Sequence, residues 1–206
     1  MKIPSTLAIA ALATALAGCA SGPPPAPLLV ESPVQTLAPP PADKAQIVFL
    51  EPINAIQGLF PTGVFELKDG QRELLAILSS HGKTAQLVAP GHHVFMTYSG
   101  ACHVMEADVE AGKRYYVLLR FIYANGMQLR PIRATAGSDF SVANPDFAEW
   151  TSITHFVDTT ADGTAQYAKW TASVDKCQAD ALASWQKKSP KEHAELTLNK
   201  EDVVAR

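Results

Sequence analysis

The stretch GHHVFMTYSGACHVMEADV, running from Gly91 to Val109, decides the fold. Read in steps of two on either side of Ser99-Gly100, it alternates in the way that two half-buried strands joined by a tight turn require. A two-residue Ser99-Gly100 loop sets Tyr98 against Ala101, Met96 against His103 and Val94 against Met105. The same inner face then continues through Ala107 and Val109. Phe95, Thr97, Cys102 and Val104 look to the other side. A solvated sheet face would not carry Phe95 and Val104 uncovered, so a second element is expected to pack there.

Outward from this hairpin, further short β-branched or aromatic runs recur between turn residues. They are Ala45–Glu51, Gly63–Leu67, Arg72–Leu78, Thr84–Val88, His92–Tyr98, Ala101–Val109, Lys113–Phe121 and Met127–Arg133. Ala89-Pro90-Gly91-His92 has Pro and Gly at the central positions of a type II turn, and Lys68-Asp69-Gly70-Gln71 is a hairpin candidate. Regular spacing of this kind predicts a mainly β fold, an antiparallel β-sandwich. The cover for its outer face lies further on. Tyr167, Trp170, Val174, Cys177, Ala181 and Trp185 step by three and four, confining the apolar stripe to about 80° of a helix. One amphipathic helix is expected over 164–188, opened by Asp162-Gly163-Thr164 and stopped by Ser189-Pro190. It docks on the sandwich, binds a partner or lies in a membrane surface. A shorter helical turn over Pro145–Ser152 carries Phe147 and Trp150.

Before the sandwich the composition changes. Lys2, an apolar run from Leu7 to Leu16 and then small residues follow the order of an export peptide, and the run is too short for the roughly 20 residues a bilayer core demands. The tetrad Leu16-Ala17-Gly18-Cys19 resembles the lipobox of bacterial lipoproteins. That resemblance implies cleavage before Cys19 and acylation of Cys19 on sulfur and amine. Each buried methylene contributes about 0.8 kcal/mol, so two or three chains anchor stably where one holds marginally. Ala20 follows the cysteine in place of the Asp associated with inner-membrane retention, which implies the periplasmic face of the cell outer membrane. Eight of the 15 prolines lie between Ala20 and Lys44. No core can form within that segment; it reads as a spacer of up to roughly 75 Å, or alternatively as a ligand for proline-recognising grooves.

Composition limits the chemistry. With 206 residues, 47% hydrophobic, and 17 basic against 20 acidic side chains, one domain plus extensions is expected, and no basic excess marks a nucleic-acid partner. Cys102-His103 and Ser80-His81 pair a nucleophile with a base, but neighbours in a strand point to opposite faces, and no Gly-x-Ser-x-Gly elbow occurs. The six histidines, His81, His92, His93, His103, His155 and His193, include no His-x-x-x-His pair. Asp158-Thr-Thr-Ala-Asp162-Gly163 begins like a calcium loop, but Lys169 stands where a bidentate Glu is needed. No catalytic residue, metal or cofactor is therefore assigned. With Cys19 acylated, Cys102 and Cys177 remain, either as a disulfide from helix to sheet or as two buried thiols.

Three segments carry a further resemblance: Gln46-Ile47-Val48-Phe49-Leu50, Ala89-Pro90-Gly91-His92-His93 and Val109-Glu110-Ala111-Gly112-Lys113-Arg114-Tyr115-Tyr116-Val117. In this order they resemble the small bacterial lipoproteins of the domain of unknown function 2846 family over residues 45–133. The resemblance implies a prealbumin-like or PEGA-like sandwich and brings no established activity. Glu51-Pro52 stands where that family has a basic residue before proline.

The resulting organisation is a lipoprotein signal peptide (1–18), a lipid-anchored Pro/Ala-rich linker (19–44), a β-sandwich (45–135) and a C-terminal helical extension packed on it (136–206). The expected function is non-enzymatic: a structural or protein-interaction module of the cell envelope, with an envelope protein as partner. The alternative is a periplasmic ligand- or glycan-binding module that stacks its ligand on Tyr98, Tyr116 or Tyr123.

Overall fold

Ala45–Glu51 is buried along its whole length, and the architecture around it explains why. The computed structural model describes residues 26–53 and 61–204. Its strands are β1 (Leu29–Glu31), β2 (Ala45–Glu51), β3 (Thr62–Lys68), β4 (Gln71–Leu78), β5 (Gly82–Val88), β6 (Gly91–Tyr98), β7 (Cys102–Val109), β8 (Arg114–Ile122), β9 (Gly126–Pro131), β10 (His155–Thr159) and β11 (Thr197–Leu198). Its helices are α1 (Pro145–Ile153), α2 (Ala161–Lys169), α3 (Thr171–Trp185) and α4 (Pro190–Leu196). A six-stranded sheet in the order β1-β10-β5-β2-β8-β9 lies alongside a five-stranded sheet in the order β11-β7-β6-β3-β4. The fold is mainly β, but the two sheets are mixed: β2 runs parallel to β8, β10 to β5 and β11 to β7. The wholly antiparallel expectation is corrected there. Chain returning through a helix or a long connection can lay a strand parallel to an earlier one, which a hairpin cannot.

Three apolar clusters separate the layers. Ile47, Phe49, Val64, Phe95, Met105, Tyr115, Val117 and Leu129 fill the space between the sheets, with Phe49 and Phe95 edge to face at 5.5 Å. The outer face of the five-stranded sheet meets α2 and α3 through Phe65, Met96, Val104, Tyr167, Val174 and Trp185. Val48, Leu50, Leu118 and Ile132 on the outer face of the six-stranded sheet meet Phe147 and Trp150 of α1. Strand β2 therefore lies between two apolar layers and needs no polar side, which its run of Ile47-Val48-Phe49-Leu50 reflects.

Four expectations are corrected. Tyr98 pairs with Cys102 and Met96 with Val104, so the loop has three residues, with Gly100 at φ 84°. The register slips by one, and the faces of β6 exchange: Phe95 enters the inter-sheet core, while Met96 and Tyr98 face the helices. The single helix is two helices broken at Trp170, where Thr171 Oγ1 donates to the Ala168 carbonyl and competes with the helical ladder. The cap of α2 is Thr160, which accepts from the Gly163 N–H, not Thr164. Ser189-Pro190 ends no helix of its own: Ser189 caps α4 with Glu192 in a reciprocal box.

The linker does not run free to Lys44. Strand β1 pairs antiparallel with β10, Leu28 and Leu29 pack against the core beside α2, and Leu37 joins the layer under α1. Proline stops this segment forming a core of its own, but three leucines find places in cores built by the rest of the chain. The segment expected to act as an export peptide, and Cys19, lie outside the described residues.

Candidate functional site

Helix α3 crosses the five-stranded sheet and leaves a groove along each flank. Its position follows from its apolar stripe. Val174 and Trp185 are buried, Trp185 Nε1 donates to Glu106 Oε1 at 2.8 Å, and Cys177 is joined to Cys102 of β7 as a disulfide with Cα atoms 5.6 Å apart. That separation is within the range a disulfide spans.

The first groove runs between α3, β7 and the β8–β9 hairpin, and encloses about 850 Å³. The disulfide forms part of its wall, and His103, Asn125, Gln128, Lys176, Asp180 and Lys188 bring polar groups into it. His103 Nε2 lies 2.7 Å from the Asn125 carbonyl, an acceptor only, so this nitrogen carries the proton and donates. Burial holds the imidazole below its usual pKa, and the Lys188 charge acts in the same direction, while the Asn125 hydrogen bond opposes. The ring is thus favoured in its neutral form, and Nδ1 offers an acceptor. Lys176 pairs with Asp180 one turn along α3 at 2.6 Å, and Lys188 with Glu192 of α4 at 3.7 Å, so the charges in and beside the groove are largely compensated. Convergent amides, an imidazole acceptor and exposed hydroxyls suit a polar ligand better than an anion.

The second groove, about 630 Å³, lies between α2, α3 and β4. Phe65, Leu74, Tyr167 and Leu182 line it, and Arg72 bridges its mouth to Asp175 and Gln178. It is the more apolar of the two.

The other residues singled out from sequence are dispersed. Ser80 Oγ donates to the Ile53 carbonyl, so no base activates it. His92 pairs with Asp108 at 3.0 Å. His93 lies between Glu66 Oε1 at 2.6 Å and the Ala89 carbonyl at 2.8 Å, so both its nitrogens are occupied. Asp158 lies in β10 and Asp162 in the first turn of α2; no cluster of three metal-ligating side chains occurs among the described residues. Of the three tyrosines considered for stacking, Tyr98 packs with Tyr167 and Trp170, and Tyr116 packs with Phe147. Only Tyr123, 88% exposed at the turn between β8 and β9, stands clear of a core.

Glu51 was not singled out from sequence as a site. It is fully buried at the end of β2, and among the described residues neither carboxylate oxygen has a hydrogen-bond partner of good geometry. Burial pushes its pKa up to about 8, with the neighbouring Thr62 hydroxyl opposing, so the acid stays protonated at neutral pH. A signal existed: Glu51 continues the alternation Ala45, Ile47, Phe49, the inward face of β2.

Comparison with known proteins leaves the site to be read from its own chemistry. No family model matches the chain, and no curated protein matches it.

Proposed function

We propose that the chain is a lipid-anchored, non-catalytic module of a bacterial cell envelope that faces the periplasm and takes up a protein partner in the groove between α3 and β7. The observation that carries the anchor is Leu16-Ala17-Gly18-Cys19 behind a short apolar run, and the resemblance of residues 45–133 to lipoproteins of the domain of unknown function 2846 type, with their prealbumin-like plan, agrees with it. Binding is supported over catalysis by the occupation of the reactive groups: the Cys102 sulfur is spent on Cys177, and the His103 Nε2 proton on a carbonyl. The large exposed apolar side chains, Val30, Val34, Leu87, Tyr123 and Ile153, do not cluster on the groove, so its recognition chemistry is polar. This same feature favours a second reading, a glycan or other polar small ligand held by His103, Asn125 and Gln128 beside Tyr123.

Two measurements test this. Palmitate labelling is expected in cells and lost in Cys19→Ala; labelling that persists in the variant overturns the anchor. A photocrosslinking residue at the position of Gln128 is expected to trap one envelope protein in cells. Saturable sugar binding in vitro with no protein trapped would put the glycan reading first.

A further inference from the structure

Resting on the lipid-anchor reading, we infer that the β1 edge of the six-stranded sheet, with Val30, Val34 and Ile153 around Phe156, is a contact surface for the lipid bilayer that holds Cys19. The argument starts from where the chain becomes fixed. Thr160 Oγ1 donates to the Pro27 carbonyl at 2.7 Å, and the Thr160 N–H donates to the Leu28 carbonyl at 3.0 Å. Gly163 admits that carbonyl so closely that a Cβ there would collide with it. Between Cys19 and Pro27 lie eight peptide steps, which span at most about 30 Å fully extended. A domain of about 180 residues has a radius of gyration of roughly 16 Å and a diameter of about 40 Å. The tether is shorter than the body it holds, so the side opposite Pro27 cannot be laid on the bilayer.

The edge at which the chain enters also carries three of the five large exposed apolar side chains among the described residues. Val30 is 45% exposed and lies opposite Asp158 in the β1–β10 pair; Val34 is 60% exposed. Between them the Ser32 N–H and Gln35 Nε2 both donate to the Phe156 carbonyl. Ile153, 39% exposed, ends α1 three residues before Phe156, and Lys83 Nζ lies 5.0 Å over the Phe156 ring. Strands are spaced about 4.8 Å apart, so β9 and the Tyr123 hairpin lie roughly 24 Å across the sheet from β1. The bilayer side and the groove side are thus opposite margins of one sheet. Glu31 and Asp158 on the near edge outnumber Lys83, whose ammonium is engaged by the Thr151 carbonyl, so anionic lipid is not attracted and the contact is imposed by the tether and the apolar side chains.

The test uses the full-length lipidated protein in phosphatidylethanolamine–phosphatidylcholine vesicles, with a photocrosslinking residue in turn at the positions of Val34, Ile153 and Tyr123. Lipid adducts are expected at the first two positions and lost at Tyr123. Inserting about 20 Pro/Ala residues before Ala26, a gain of roughly 60 Å, is expected to abolish the difference. Equal adducts at all three positions in floated, vesicle-bound protein overturn the orientation and leave the anchor standing. Protein that does not float with the vesicles overturns the anchor, and this inference with it.

Discussion

Helices α2 and α3 lie in succession on the same sheet, yet different physics holds each in place. Helix α2 is set by close approach. Gly163 meets the Leu28 backbone, and a Cβ on Gly63 of β3 would lie 2.5 Å from Tyr167 Cε1, so the Tyr167 ring rests where a side chain is missing. Its hydroxyl donates to the Pro61 carbonyl at 2.8 Å. Helix α3 has no glycine in it; it is held by the buried Trp185 and by one covalent bond to β7. Contacts that need a missing side chain fail when an atom is added, and a covalent tie fails when electrons are added. The two helices should therefore respond to different perturbations.

The largest effect belongs to the acid at the α2 end. In the folded state Glu51 holds its proton up to about pH 8, against 4.5 for an ordinary Glu, so the folded state binds the proton more tightly than the unfolded chain. The contribution of Glu51 to stability is then greatest below pH 4.5, falls as pH rises, and levels off above pH 8, a total loss of about 5 kcal/mol for a shift of this size. Urea unfolding across this range should show the slope, and Glu51→Gln should flatten it; an unchanged slope in the variant would assign it to other groups.

Next comes the covalent tie. Cys102 and Cys177 close a loop of 75 residues, and removing the bond in Cys102→Ser/Cys177→Ser should cost about 4 kcal/mol in the chain-entropy model. Mild reduction of the unaltered protein should lower the urea midpoint to match. If reduction changes nothing, α3 is held by packing alone and the contrast with α2 disappears.

A smaller effect is expected at Gly163→Ala. Alanine improves helix propensity by about 1 kcal/mol, but the collision with the Leu28 carbonyl should reverse the sign and leave a net loss of about 2 kcal/mol. Thermal unfolding decides the sign. A stabilised variant would mean that residues 27–29 are not docked on α2 and that the short tether is wrong. Smallest is Ser189→Ala, which breaks the reciprocal cap of α4 and should cost about 1 kcal/mol by urea unfolding, with the α2 and α3 contacts unchanged.

These contrasts also show what could be read in the residues. Short β-branched and aromatic runs between turn residues located β2 to the residue and most other strands within one or two, because strands rich in such side chains end where turn residues begin. Alternation misplaced β6 against β7 by one position, since both faces of β6 are partly apolar and a period of two alone cannot say which faces which core. The short strands β1, β10 and β11 carry too few residues for a period to show. Glu192, three residues after Ser189, marked a helix start at α4 that the proline obscured. Of the groove, sequence reached the Cys102–Cys177 connection as one of two alternatives, because Cys177 lies on the apolar stripe of the helix. Asn125, Gln128 and Lys188 were out of reach, being brought together from separate elements by packing.

By itself the sequence determined the local matters: where strands run, which face of α3 is apolar, and where the chain carries its thiols. Each of those depends on neighbours within a few residues, and their spacing records it. Tertiary structure alone decided the mixed direction of the sheets, the docking of Leu28, Leu29 and Leu37, and the two grooves beside α3. Those features arise where distant segments meet, and a partner that lies many residues away leaves no period in the chain for either one to be read from.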